Sequence, residues 1–329
     1  MTPKMERRRF AGRLWCSVLL SLVAGVVHAQ SYPAKPVKIV VPAQPGGGLD
    51  LIGRTVGDQL GRAFEQSFVI ENIAGGGGSI ACQAVARAAP DGYTLMVGYV
   101  ATHATSPAVR KVPYDAIRDF TPIAMVGGTR NMLVVHPSVP VSDLKGFVEY
   151  AKRKANKVTF GAGGIGTLNH LLIEQLKAAA GFDAVIVQYK GIGPSFADML
   201  GGQLEAMTPG VAAALPHIRS KKVKPIAVTG TSRNALLPEV PTFEESGYKG
   251  FDGVQWYGIV GPAKMRPDVT ERLNAEIRKA LASPALQQRL VAEAIEPMPM
   301  SPGEFGAFIQ AELDRYTRLA REQNIRLDE

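Results

Sequence analysis

Short β-branched runs alternate along the chain with stretches whose apolar residues recur every three to four positions. Residues 37–41 (VKIVV) make an apolar run of strand length. Ile52, Val56, Leu60 and Phe64 then stand four apart, which puts them on one face of a helix expected over 50–64. A second strand (67–71, SFVIE), a second helix (79–88) and a third strand (93–100) follow, with the turn Pro90-Asp91-Gly92 before the last. The rhythm restarts after Val126, with strands at 131–136, 158–160, 184–189 and 225–229 and helices at 142–154, 167–180 and 194–200. A further strand at 254–260 (VQWYGIV) leads to two closing helices at 267–282 and 301–321. Gly181 stands where a helix ends in left-handed backbone. Ser301-Pro-Gly-Glu304 reads as a capping box with proline at the first helical position, and Phe305, Phe308, Ile309, Tyr316 and Leu319 supply that helix's apolar side. Strands alternating with helices predict a parallel α/β architecture, here in two lobes of similar size.

Three of the predicted strands run into glycine loops that open helices: Gly46–Gly48, Gly75–Gly78 and Gly161–Gly166. A helix N-terminus carries unpaired N–H groups and roughly half a positive charge, so it receives carboxylate or phosphate. Glycine lets the backbone come close and adopt the positive φ of an anion-holding nest. Any one such loop is also a plain tight turn, but three at strand C-termini lie where α/β proteins place ligands.

Residues 1–29 carry the marks of an export signal. Arg7, Arg8 and Arg9 precede an apolar run over 14–27, and Val27-His28-Ala29 places small residues before a cut at Gln30. The run is too short to span a bilayer, and the Arg7–Phe10 segment also echoes a twin-arginine signal beside ordinary secretion. The formal charge of +8 includes five basic residues and one acid in that leader, leaving +4 spread along the exported part, with no basic run of the kind that binds nucleic acid. Cys82 is the single cysteine beyond the leader, so an internal disulfide is excluded there.

Catalytic and cofactor motifs fail on inspection. Gly161-x-Gly163-x-x-Gly166 has the form of a dinucleotide fingerprint, yet Asp183 precedes the next strand instead of ending it, and none of the three loops has a Walker lysine. Gly77-Gly-Ser79-Ile-Ala81 lacks the final glycine of a nucleophile elbow, and Ser79 reads as a helix cap. His103, His136, His170 and His217 are not at metal-ligand spacing. His136 and His217 read as structural, whereas His103 and His170, near helix starts, either line a ligand or pack. No cofactor and no metal are expected, and the chain is not read as an enzyme. The competing view is an exported hydrolase or acyl-binding protein using Ser79 or His170.

The segments PGGGLDLIGR, ENIAGGGGSIACQAVARAAPDGYTL, DFTPIAMVG, NMLVVHPS, GAGGIGTLNHL, QYKGIGPSFADMLGGQ, ALPHI, IAVTG, LPEVPTFEESG and WYGIVGPA occur in unbroken order over the chain. Together they resemble the Bug family of extracytoplasmic receptors for tripartite tricarboxylate transporters. The resemblance implies a two-lobed α/β periplasmic binding protein of Venus-flytrap form, with a mixed sheet in each lobe and a two-strand hinge. It implies a small organic carboxylate held largely by backbone amides and bridging waters, and a membrane permease as partner. A sensor kinase as the receiver would leave the same binding site. A monomer in the periplasm is expected, without nucleic acid.

Carried onto these residues, the resemblance puts Gly46, Gly47 and Gly48 at the ligand with Asp50 capping the helix behind them. Gly163, Gly166 and Thr167 come from the other lobe, with His170 one turn on. Thr102 and Trp256 read as cleft-lining, or else as a cap and a core aromatic. Lobe one is expected at 31–125 plus 255–329 and lobe two at 126–254, joined by strands near 123–128 and 252–257. Two departures stand out. Ala43 and Gln44 replace the usual Phe and Pro of the first loop, and Pro209-Gly210 stands where many members carry an acidic residue. The second favours di- or tricarboxylic or aromatic acids over amino acids.

Overall fold

The computed structural model describes residues 32–322 together with 325 and 326. The export signal expected at 1–29 lies outside the described residues. Described residues from Lys35 onward belong to one unit that holds both sheets.

The first half builds β1 (Val37–Val41), α1 (Gly48–Phe64), β2 (Phe68–Asn72), α2 (Ser79–Ala86) and β3 (Thr94–Tyr99). A π turn (Ala101–Thr105) runs into the single-turn α3 (Ser106–Val109), and the long β4 (Phe120–Arg130) follows. The second half builds β5 (Met132–Val135), α4 (Leu144–Arg153), β6 (Val158–Ala162), α5 (Leu168–Ala180), β7 (Ala184–Gln188), α6 (Ile192–Leu200), β8 (Ala206–Met207), α7 (Val211–Arg219) and β9 (Lys224–Val228). The chain returns through β10 (Val254–Pro262) and ends in α8 (Pro267–Leu281), α9 (Pro284–Ala292), β11 (Glu296–Pro297) and α10 (Pro302–Glu322).

Two mixed sheets result. The first has the order β11-β4-β10-β3-β1-β2 and the second β7-β6-β8-β5-β9. In each, one central strand has a parallel neighbour on either side: β1 between β2 and β3, and β6 between β7 and β8. The strands that complete the sheets run antiparallel, β10 against β3 and β4, and β5 against β8 and β9. Parallel order therefore extends only as far as the strand–helix–strand units, and the returning strands reverse it.

Burial follows the predicted faces. Ile52 and Leu60 of α1 are wholly buried and Val56 nearly so, each worth about 1.5–3 kcal/mol of apolar transfer. Phe64, at the end of the same stripe, is only part-buried and carries the Arg272 guanidinium over its ring at 5.1 Å. Gly181 closes α5 in left-handed backbone at φ 68°. Ser301 and Glu304 exchange the capping-box bonds at the start of α10.

The chain leaves the first sheet at Asn131 and re-enters it at Val254. At this crossing the Asn131 N–H donates to Thr229 Oγ1 (3.0 Å), the Thr229 N–H donates back to the Asn131 carbonyl (2.8 Å), and the Thr229 hydroxyl donates to the Gly253 carbonyl (2.8 Å). Next to it, β4 and β10 pair along their full lengths from Arg130↔Val254 to Phe120↔Pro262.

Candidate functional site

Parallel strands aligned side by side all end at the same edge of their sheet, and the helices that follow begin there. The C-terminal edges of both sheets border one cavity of about 740 Å3, counted with its solvent-facing mouth. Five helices start at its wall. Their N-cap residues are Gly47 (α1), Gly78 (α2), Thr167 (α5), Gly191 (α6) and Gly210 (α7), and all five line the cavity. None of these caps closes its helix with a side-chain hydrogen bond. The first-turn N–H groups of a helix have no partner within it. Here they sit around one space together with the positive ends of five macrodipoles. Among the described residues Lys190 is the only charged one on the wall, and it is exposed, with no ion pair. Among the described residues no carboxylate lines the cavity. Such a wall favours an anion and gives a ligand amine no counter-charge.

On the side of the first sheet, a charged cluster behind the wall braces the loop before α1. The buried Asp50 carboxylate accepts from the Gly46 N–H (3.1 Å), Arg54 Nε (3.0 Å) and Asn72 Nδ2 (3.1 Å). Burial opposes its charge, but the bonds from Arg54, Gly46 and Asn72 outweigh burial and hold the carboxyl below its usual range. Asn72 also donates to the Ala43 carbonyl (3.1 Å), which ties the loop at a second point. Tyr99, at the end of β3, donates to the Gly77 carbonyl (3.1 Å), and Arg110 reaches the Gly76 carbonyl and Ser79 Oγ. Tyr257 of β10 enters the wall beside α1; a Cβ at Gly48 would lie 2.9 Å from its hydroxyl oxygen, so the space belongs to the tyrosine. Burial pushes the Tyr257 and Tyr99 phenols up, keeping both as neutral donors.

Asn169, Thr167 and His170 brace the other side. Asn169 Oδ1 accepts from the Gly163 N–H (3.3 Å) and meets the Thr167 hydroxyl, which also donates to the Gly164 carbonyl (2.7 Å). His170 Nδ1 accepts from the Gly166 N–H (3.3 Å), and Nε2 faces Gln188 (3.1 Å) and Glu174 (3.7 Å). The bond from His170 is the largest influence on Glu174 and, with Lys177, holds that carboxyl below its usual range against burial. The two sides meet at Gly47, where an added Cβ would stand 3.7 Å from Ile192 of α6.

The residues expected at the ligand fall into three groups. Gly47, Gly48, Gly163 and Thr167 line the cavity. Gly46, Asp50, Gly166 and His170 do not line the cavity but hold the loops that form it. Thr102 and Trp256, expected at the cleft, do not reach it. The Thr102 hydroxyl donates to the Tyr99 carbonyl (3.0 Å) and accepts from the Tyr99 N–H (3.2 Å), which spends it on the π turn. Trp256 is fully buried on the opposite face of β10, edge-on to Phe305 and Phe308, with its indole N–H donating to Glu312 (3.1 Å).

Among the described residues, Ser79 and His170, the alternatives of the competing catalytic view, share no hydrogen bond. The Ser79 hydroxyl donates to the Gly76 carbonyl (2.8 Å) and accepts from Arg110, with no base in contact. His103 is fully buried and pushed down to about 3 by that burial, so it is neutral and inaccessible. His136 pairs with Ser138, and His217 packs on Phe196. Sequence reasoning missed Tyr99, Tyr257, Asn169 and the loop Lys190–Gly193. A signal for the last existed, since Tyr189-Lys-Gly191 repeats the strand–glycine–helix pattern of the other loops.

Among known proteins, a family description reading tripartite tricarboxylate transporter family receptor matches residues 52–325. The protein BugT of Bordetella pertussis is 32% identical over 311 residues, covering 93% of this chain and 94% of its own. The solved structure of Rpa4515 of R. palustris with adipate has a TM-score of 0.87 at 30% identity, covering 90% of this chain and 99% of its own. MatC from Rhodopseudomonas palustris with bound malate has a TM-score of 0.84 at 30% identity, over 87% and 99% respectively.

Proposed function

The chain belongs to the receptor family of tripartite tricarboxylate transporters, and from that premise we propose that it captures a small organic carboxylate and hands it to a membrane permease. The observation that carries this reading is the convergence of five uncapped helix starts on one cavity whose only charged wall residue, among those described, is a lysine. Backbone amides of the Gly47–Gly48 loop and of the first turn of α5 hold carboxylate oxygens, and Asn169 and Tyr257 add side-chain donors. The relatives seen with adipate and malate support a di-acid of four to six carbons.

Lobe one comprises about 31–125 plus 255–329 and lobe two about 126–254, turning on the Asn131 and Thr229–Gly253 crossing. Each lobe supplies donors to the ligand, so the closed form binds it better and is populated by it. The protein works as a monomer in the periplasm, exported by the signal at 1–29, and catalyses no reaction. Among the described residues no helix is long and apolar enough to cross a membrane.

A thermal-shift screen against di- and tricarboxylic, aromatic and amino acids tests the proposal. A ligand at a hundredfold excess over Kd adds about 2.7 kcal/mol of apparent stability. Stabilisation by a di-acid that disappears in Gly47→Val, a folded variant with extra bulk on the wall, is the expected result. Silence across the panel, in protein freed of carried-over ligand by unfolding and refolding, overturns it. Ester or amide turnover that vanishes in Ser79→Ala overturns it in favour of a hydrolase.

A further inference from the structure

The glycine loops also touch each other. The Thr105 and Ser106 hydroxyls, both wholly buried, donate to the Gly166 carbonyl at 2.6 and 3.0 Å. These bonds run from the π turn after β3 to the loop after β6, that is, from elements of the first sheet to those of the second. Beside them the loops approach backbone to backbone. A Cβ on Gly77 would stand 2.6 Å from the Ile165 carbonyl oxygen, one on Gly164 3.3 Å from Gly77 Cα, and one on Gly166 2.6 Å from Ser106 Oγ. Only residues without a side chain permit a seam this close, and φ of +64° at Gly77, +134° at Gly164 and +77° at Gly166 restricts them to glycine again.

The donors are rigidly mounted. Thr102 brackets the turn by its two bonds to Tyr99, and Tyr114 donates to the Thr102 carbonyl at 2.8 Å. A π turn is an uncommon local geometry that recurs at functional positions. Here it places Thr105 and Ser106 on a shared acceptor.

We propose that Thr105 and Ser106, through the Gly166 carbonyl, are positioning residues that latch the two halves together independently of ligand. The inference rests on the receptor reading for its purpose, since the latch raises affinity by keeping the binding-competent form populated. Apparent affinity scales with the fraction of protein in that form. Gly77, Gly164 and Gly166 accordingly serve the approach of the halves, while Gly47, Gly48 and Gly163 serve the ligand.

The test reads the distance between spin labels at Val69→Cys on β2 and Val185→Cys on β7, two exposed positions on the edge strands of the two sheets. Cys82 is buried and stays unlabelled. In ligand-free protein carrying native Thr105 and Ser106, a single narrow distance is expected. Thr105→Val with Ser106→Ala should move it to longer, broader values and weaken binding of adipate or malate, whichever the screen finds, about tenfold. Thr105→Ser, which restores a hydroxyl, should return both. A misfolded local turn would not produce that rescue. An unchanged distance in the double variant overturns the latch, as does a native distribution that is already long and broad without ligand. Because the distances are read without ligand, a screen in which no acid binds overturns the receptor reading while the distances still decide the latch.

Discussion

The two sheets have the same core order, a central strand with parallel neighbours and an antiparallel strand beyond, yet their loops are held by different chemistry. The first sheet fixes its glycine loop with the buried Asp50 carboxylate and its partners Arg54 and Asn72. The second fixes the corresponding loop with an amide, a hydroxyl and an imidazole from Asn169, Thr167 and His170. The sole charge on the wall among the described residues, Lys190, also belongs to the second side. Topology thus sets where the helix starts converge, and bracing decides where charge is allowed. On the first side the negative charge is consumed behind the wall, and on the second a positive charge is left facing the cavity.

The comparison breaks most readily at Asp50. Asp50→Ala removes three bonds from a buried carboxylate site and should cost about 2.5 kcal/mol of stability, read as the urea midpoint, with at least a thirtyfold loss of ligand affinity. Asn169→Ala, the neutral counterpart, should cost less than half of that. Equal costs would erase the distinction between the two sides.

Next in size is the pH effect of His103, on the first side. His103 has its folded-state value lowered from 6.5 to about 3 by burial. Its contribution is complete above pH 6.5 and is lost as pH falls, because the unfolded chain takes up a proton that the folded one refuses. Between pH 7 and pH 5 this amounts to about 2 kcal/mol, and His103→Leu should flatten that slope in urea titrations.

Smaller again is the charge on the wall. Lys190→Met should weaken a dicarboxylate about tenfold, or about 1.4 kcal/mol, and its monoester by much less, as isothermal titration would resolve. Equal losses for both would remove Lys190 from the site. The smallest effect belongs to Trp256→Phe, which gives up the bond to Glu312 and should lower Tm by a few degrees while leaving ligand affinity within twofold.

Most strands and helices were legible because each announces itself by local periodicity. Those missed were short or interrupted: α7 contains Pro216, β8 has two residues, and α9 is separated from α8 by only two. The site was legible only in part, for a physical reason visible at Trp256 and Tyr257. Successive side chains on a strand face opposite ways, so a shift of one residue exchanges core for cavity. Alternation turns one of the two aromatics toward the cavity, and the structure shows that it is Tyr257, with Trp256 in the core. Asn169 and Lys190 were hidden likewise, since their importance comes from loops more than twenty residues apart meeting at one wall.

A wall of main-chain N–H groups has a consequence for how such a protein diversifies. Point mutations exchange side chains but leave the peptide unit in place, so the proposed grip on a carboxylate passes through most substitutions untouched. Variation at Ala43, Ile192 or Ala213 can then reshape the rest of the cavity without first losing the anchor. Preference for one acid over another becomes an easily inherited and easily altered trait, carried by residues that never touch the charge.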